Sequence, residues 1–198
     1  MSLYSTDTEL ESGLWLRFKS GDRRAFAEMY ERYAGVLYNY GFHITNERHI
    51  VEDAIQDLFV TLWQSRERLS DTTSIKYYLF RSLRRQIVRL SGKDALMERL
   101  GQPDFLSERQ QEPSIEMQLM ESESEQYQLR VLRTALLELS PRQLEAIRLH
   151  FFEGFDYGSI ARIMEMNEQS VRNLLQRSIY KLRHVMYLFP LLFLLFRT

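Results

Sequence analysis

The chain of 198 residues contains no cysteine, so it can form neither a disulfide nor a thiolate metal site. A reducing compartment is therefore its natural setting, and the cytoplasm is the expected one. Residues 1–12 lack the basic and apolar pattern of a secretory leader, so export is not expected. The four histidines, His43, His49, His150 and His184, are scattered, and no glycine-rich phosphate loop or nucleophile–base pair stands out. No catalytic residue, metal ligand, cofactor or small-molecule substrate is expected, and the chain does not read as an enzyme. Its longest apolar run, at 187–196, falls short of the roughly 20 residues that cross a bilayer, so no transmembrane segment is expected.

A surplus of charge is also missing, because the formal net charge is only −1. The distribution is less even. Residues 1–92 carry 13 Lys/Arg against 12 Asp/Glu, residues 93–128 carry 3 against 9, and residues 129–198 carry 10 against 6. Two mildly basic ends thus flank an acidic middle. Any affinity for a polyanion has to come from local patches, since the whole-molecule field is weak.

What is present describes an ordinary globular chain, 44% hydrophobic and 27% charged, long enough for one large domain or two small ones. Helical spacing dominates, and the predicted class is all-α. Residues 9–40 read as helix broken at Ser20-Gly21-Asp22, with Asp22 capping the second piece. Leu14, Leu16 and Phe18 precede the break, and Phe26, Met29, Tyr30, Tyr33, Leu37 and Tyr40 follow it as expected core. Residues 47–69 form a strongly amphipathic helix with Ile50, Ala54, Leu58, Leu62 and Leu69 on or near the buried stripe. Asp53, Gln56 and Asp57 lie off that stripe, with Phe59 and Trp63 at its margin. That face is either a plain solvated surface or an acidic docking surface for a basic partner.

The stretch from Ser74 to Lys93 is the most distinctive. Lys76, Arg81, Arg84, Arg85, Arg89 and Lys93 occur there with no acid between them, and Leu79, Leu83, Ile87 and Leu90 recur at helical spacing. Arg81, Arg85 and Arg89, four apart, make a positive ridge. Tyr77, Tyr78 and Phe80 sit at its front. Cations hold phosphates and rings accept a base face, a pairing suited to an unstacked strand. The plainer alternative is an amphipathic helix with aromatic core residues and a solvated charged face. Ser74 is the predicted N-cap and Gly92 the predicted end.

Residues 93–128 read as a flexible acidic linker, interrupted at Pro103 and Pro113 and partly helical near 114–128. Leu96, Met97, Leu100, Phe105 and Leu106 are the residues there that can dock. A second domain, 129–186, opens with Leu129, Leu132, Leu136 and Leu139 on one helix. Ser140-Pro141-Arg142-Gln143 starts the next with a capping box. Leu144, Ile147, Leu149 and Phe151 continue it to Gly154. A short helix, a turn at Glu165-Met166-Asn167 and a longer helix then follow the helix-turn-helix plan. The longer helix buries Val171, Leu174, Leu175, Ile179 and Leu182. It exposes Gln169, Arg172, Asn173, Gln176, Arg177 and Lys181, with Ser170 in its first turn. Arg, Asn and Gln are the side chains that pair with guanine and adenine edges in the major groove; a plain helical hairpin is the alternative. The apolar tail, 187–198, either folds back or is covered by a partner.

Both halves together resemble the bacterial extracytoplasmic-function (ECF) sigma factors of the sigma-70 family. Residues 53–63 look like that family's polymerase-binding segment, residues 75–84 like the segment that opens and reads the −10 element, and residues 139–143, 159–161, 170–173 and Arg177 like region four, which reads the −35 element. The resemblance implies two small helical domains, region two over 10–92 and region four over 129–186, joined by the acidic linker. It implies a sigma factor that binds core RNA polymerase, at its clamp coiled coil and flap, and promoter DNA, and that is checked by an anti-sigma factor. Polymerase binding would then fall to Asp53, Gln56, Asp57, Phe59 and Trp63. The −10 element would be met by Lys76, Tyr77, Tyr78, Arg81, Arg84, Arg85 and Arg89, and the −35 element by Gln169, Ser170, Arg172, Asn173, Gln176, Arg177 and Lys181. Tyr78 stands where many members have tryptophan, Arg85 where asparagine is common, and Glu165 where glycine is frequent. A helix-turn-helix regulator acting alone, with a sensor as its first domain, is the alternative.

Overall fold

The computed structural model describes the backbone at residues 3–91 and 135–195, and side chains at 10–91 and 135–184. The linker, the predicted helix end at Gly92, most of the helix opened by Leu129, and the side chains of the apolar tail lie outside the described residues. All regular structure among the described residues is helical, as expected. The chain divides into two compact units.

The first unit is built from α1 (Leu3–Lys19), α2 (Arg23–Thr45), α3 (Arg48–Ser65), a 3₁₀ turn (Arg66–Arg68) and α4 (Ile75–Ser91). Gly21, at φ +90°, lets the chain reverse after α1, and Asp22 then accepts from the Arg24 amide at 2.8 Å to cap α2. The expected break at 20–22 is therefore real. α2 runs on past Tyr40 to Thr45 and stops where Asn46 turns left-handed at φ 57°. α2, α3 and α4 pack on one another, and α1 lies across α2 and α4. Trp15, Phe18, Met29, Leu37, Tyr40, Leu62, Ile75, Leu79, Phe80, Leu83 and Ile87 are the large side chains sealed inside. Gly41 is required by closeness: a Cβ there would sit 2.9 Å from Val51 Cγ1 and 3.1 Å from Ile87 Cδ1.

Several burial expectations are corrected. Leu16 and Tyr30 are exposed, whereas Trp15 is among the most buried residues of the unit. On α3 the buried set is Val51, Ala54, Ile55, Leu58, Phe59 and Leu62, so Ile50 lies only at its edge. Leu69, expected on the same helix, falls beyond the 3₁₀ turn and is half-buried. Because α3 contacts both α2 and α4, it needs a wide apolar arc, with positions i, i+3, i+4, i+7, i+8 and i+11 all inside. On α4, Leu90 is exposed because it lies in the last turn of the helix.

The second unit contains α5 (Pro141–Ile147), a π-helical turn (Arg148–Phe152), α6 (Tyr157–Met164) and α7 (Glu168–Leu195). Ser140 and Gln143 form the predicted capping box, with Pro141 in the first turn. The π turn ends at Phe152, two residues before Gly154 at φ +73°, and leaves Phe151 exposed instead of continuing the buried stripe. Asp156 caps α6 through the Ser159 amide at 2.6 Å. Glu165 adopts φ 53°, ψ 51°, so the turn keeps a left-handed residue without glycine. Asn167 then accepts from the Ser170 amide at 2.7 Å and starts α7. Ala146, Leu149, Ile160, Val171 and Leu175 are buried in this unit.

Candidate nucleic-acid interface

α4 begins where Ser74 Oγ accepts from the Tyr77 amide at 3.2 Å, the cap expected there. Its buried arc leaves Arg85 and Arg89 exposed and Arg81 half-buried, so the ridge of three arginines survives. Arg84 does not join it. Only 7% exposed, it lies within the buried arc between Leu83 and Ile87, and the expectation that it faces solvent with the other cations is overturned. Phe80 is also lost as an exposed ring: it is buried against Tyr40, with centroids 4.8 Å apart. Lys76 lies 5.7 Å from that ring. Tyr77 and Tyr78 are half-buried at the head of the helix, and Tyr78 meets Trp15 at 5.3 Å.

α3 turns the opposite charge outward. Asp53, Gln56 and Asp57 are exposed, joined by Glu52, which sequence spacing did not single out. Phe59 is 3% exposed and packs edge-on to Phe26 and Tyr30, so it is a core side chain and not a surface contact. Trp63 stays partly accessible, tilted against Phe18 and Phe26 with the Arg66 guanidinium 4.7 Å over its ring. Tyr30 and Val60, about half exposed, add apolar area beside the carboxylates. The acidic and basic faces adjoin: Asp57 lies 3.7 Å from Arg89. Both partners are well exposed, so the pair holds little energy and breaks easily.

α7 presents Gln169, Arg172, Asn173, Gln176, Arg177 and Lys181 to solvent, as predicted, with Ser170 half-buried. Arg172 is pre-positioned. Glu168 holds its Nη2 at 2.6 Å, and the Tyr157 ring lies 4.7 Å beneath its guanidinium. Tyr157 was missed in the sequence because it belongs to α6, the other arm of the motif. Gln169 donates to Asn173 Oδ1 at 3.0 Å. Lys181 donates to the Glu138 carbonyl at 3.1 Å, which ties α7 to the segment before α5.

The unit also holds a half-buried cation, Arg148, that sequence reasoning passed over. Desolvation lowers the Arg148 pKa to about 10, so the group is still protonated at neutral pH. Among the described residues no three His, Asp, Glu or Cys converge as metal ligands. His49 sits beside Glu47 at 3.4 Å, and His150 Nδ1 is 3.0 Å from the Phe155 carbonyl. Among the described residues no helix is long and apolar enough to cross a membrane.

Two family models match the chain, Sigma-70 region 2 over residues 29–94 and Sigma-70, region 4 over residues 129–182. A relative from Streptomyces coelicolor, the ECF RNA polymerase sigma factor BldN, is 24% identical over 182 residues, covering 86% of this chain. The chain spans 63% of that relative's length. Two solved structures share the fold. One is CnrH in complex with the cytosolic domain of CnrY, at TM-score 0.57 and 18% identity, covering 89% of this chain and 96% of that one. The other is the sigma factor RpoE with the anti-sigma factor NepR from Bartonella quintana, at TM-score 0.56 and 19% identity, covering 82% and 96%.

Proposed function

The chain belongs to the sigma-70 family, in its ECF group, and on that premise we propose that it binds core RNA polymerase, directs it to promoters and helps to open the DNA. The observation that carries this reading is the order of the two matches, region 2 before region 4 in one polypeptide. A regulator acting alone has no use for the first of these, so that alternative is not favoured.

The parts divide by chemistry. The α7 face with Gln169, Arg172, Asn173, Gln176 and Arg177 enters the major groove at the upstream element, phosphate contacts positioning it and base contacts specifying. Arg172, already oriented by Glu168 and Tyr157, forgoes part of the ordering cost of about 0.5–1.5 kcal/mol for a flexible side chain. The head of α4 meets the −10 element. Arg81, Arg85 and Arg89 hold the backbone of the strand, and Tyr77 and Tyr78 receive its bases. Extruding a base costs a few kcal/mol, and stacking on a ring returns about 1–3 kcal/mol. These nearly balance, so opening needs polymerase contacts as well. Asp53, Gln56, Asp57 and the accessible part of Trp63 supply the docking face for the clamp coiled coil, and the second unit engages the flap. No bond is made or broken by this chain. It acts in the cytoplasm, where its polymerase is, and an anti-sigma factor that masks these faces is the expected inhibitor.

Gel filtration of the purified protein with core polymerase tests the reading. Co-elution is expected, weakened at least ten-fold by Asp53→Lys with Asp57→Lys. A wild-type protein that elutes apart from the enzyme, freed of any bound inhibitor, overturns it.

A further inference from the structure

Three side chains of α1 spaced four apart, Glu11, Trp15 and Lys19, all reach the connection that delivers the chain from α3 into α4. Positions i, i+4 and i+8 share one helix face, so a single stripe of α1 makes every one of these contacts. Trp15 Nε1 donates to the Ser70 carbonyl at 3.1 Å. Lys19 Nζ donates to Asp71 Oδ1 at 2.6 Å. Glu11 uses both carboxylate oxygens: Oε2 accepts from the Ile75 amide at 3.0 Å, and Oε1 accepts from the Tyr33 hydroxyl at 2.6 Å. The first amide of α4 is thereby bonded to a carboxylate from another helix, itself braced by α2. Between these anchors the connection is tied to itself, Thr72 Oγ1 donating to the Ser74 carbonyl and accepting from the Ser74 amide. The Trp15 ring also abuts Tyr78, one of the two accessible rings of the candidate interface.

We propose that Glu11, Trp15 and Lys19 are positioning residues for promoter opening, a clamp that sets the connection 70–75 and the head of α4 so that Tyr77 and Tyr78 stand ready to receive unstacked bases. The inference rests on the function proposed above. Glu11, Trp15 and Lys19 precede the stretch matched to region 2, which begins at residue 29. None of them needs to touch DNA. Their contacts go to backbone groups and a single carboxylate of the connection, which by its length and polar composition has few apolar anchors of its own. Seated rings need no reordering when a base arrives, and a connection released at Ser70 or Ile75 lets them wander.

The test uses the full chain with core polymerase on a promoter fragment, reading permanganate reactivity of unpaired thymines. Trp15→Phe keeps the ring and removes the donor to Ser70. Glu11→Gln keeps one acceptor and turns an amide toward the other donor. Each is expected to slow opening at least ten-fold while core affinity and upstream duplex binding stay within two-fold of wild type. Lys19→Met, at the rim of the clamp, is expected to give a smaller loss that Lys19→Arg restores, and it keeps the test open should the inner variants fold poorly. In a Tyr77→Ala, Tyr78→Ala background the effect of Trp15→Phe is expected to vanish, which general loss of stability would not produce. Unchanged opening in all variants overturns the proposal, as does an undiminished effect in the double-alanine background. A wild-type protein that opens no promoter with core polymerase strikes down the functional reading beneath it instead.

Discussion

Tyr33 shows how one buried hydroxyl records the packing around it. Burial first, and then the Glu11 carboxylate, push its pKa well above the ordinary 10.0. A raised acid keeps its proton in the folded state, so its stabilising contribution is complete below the unfolded value and is lost as pH climbs past it. The stability difference between wild type and Tyr33→Phe, measured by denaturant unfolding, is expected to hold steady below about pH 9 and to shrink above pH 10. A difference that grows with alkalinity would contradict the assignment. Glu165 offers a second residue-scale test. Its left-handed backbone costs a side chain about 1–2 kcal/mol, whereas glycine costs about 0.5–1 kcal/mol more in unfolded-chain entropy. The balance favours Glu165→Gly by about 0–1.5 kcal/mol, to be read as a small rise in the thermal midpoint. At this scale the sequence was informative about caps, since Asp22, Ser74, Ser140 and Gln143 need only local geometry. It was silent about Glu11, Trp15 and Lys19, whose partners on the connection lie more than 50 positions away.

Helix existence followed from period, but the width of each buried face did not. A helix with one neighbour buries a narrow stripe, and one with two buries a broad arc. Such arcs took in Phe59 on α3, read at the margin of its stripe, and Arg84 on α4, read as staying in solvent, although the resemblance had made both site residues. Length was underestimated where α2 continues to its Asn46 cap, a residue whose left-handed tendency offered the available signal. The exposure of Gln169, Arg172, Asn173, Gln176, Arg177 and Lys181 on α7 was legible residue by residue, because an exposed face needs no partner to define it. α7 and α4 should fail separately. Arg172→Ala is expected to weaken duplex binding at the upstream element by about 1–3 kcal/mol and to leave opening of bound DNA intact. Tyr78→Ala is expected to leave upstream binding unchanged and to reduce opening. Equal losses in a duplex-binding assay would remove this division of labour between the helices.

On the scale of the whole chain, a net charge of −1 conceals the organisation that matters. An acidic face on α3 and a basic one on α4 adjoin in the first unit, and a polar, cation-rich face lines α7 in the second. The two-unit division and the order of the modules were readable from sequence because each unit has its own apolar periodicity and the stretch between them has an excess of acid. Under the proposed function, the weak overall charge is expected to keep independent DNA affinity low and to leave promoter choice dependent on polymerase. Run-off transcription by core polymerase on a library of promoter fragments, with and without this protein, tests that dependence most directly. Discrete transcripts are expected only when both are present, with start sites that share one upstream and one −10 sequence. Transcripts that are the same without the protein, or protein-dependent starts with no shared sequence, would contradict the account.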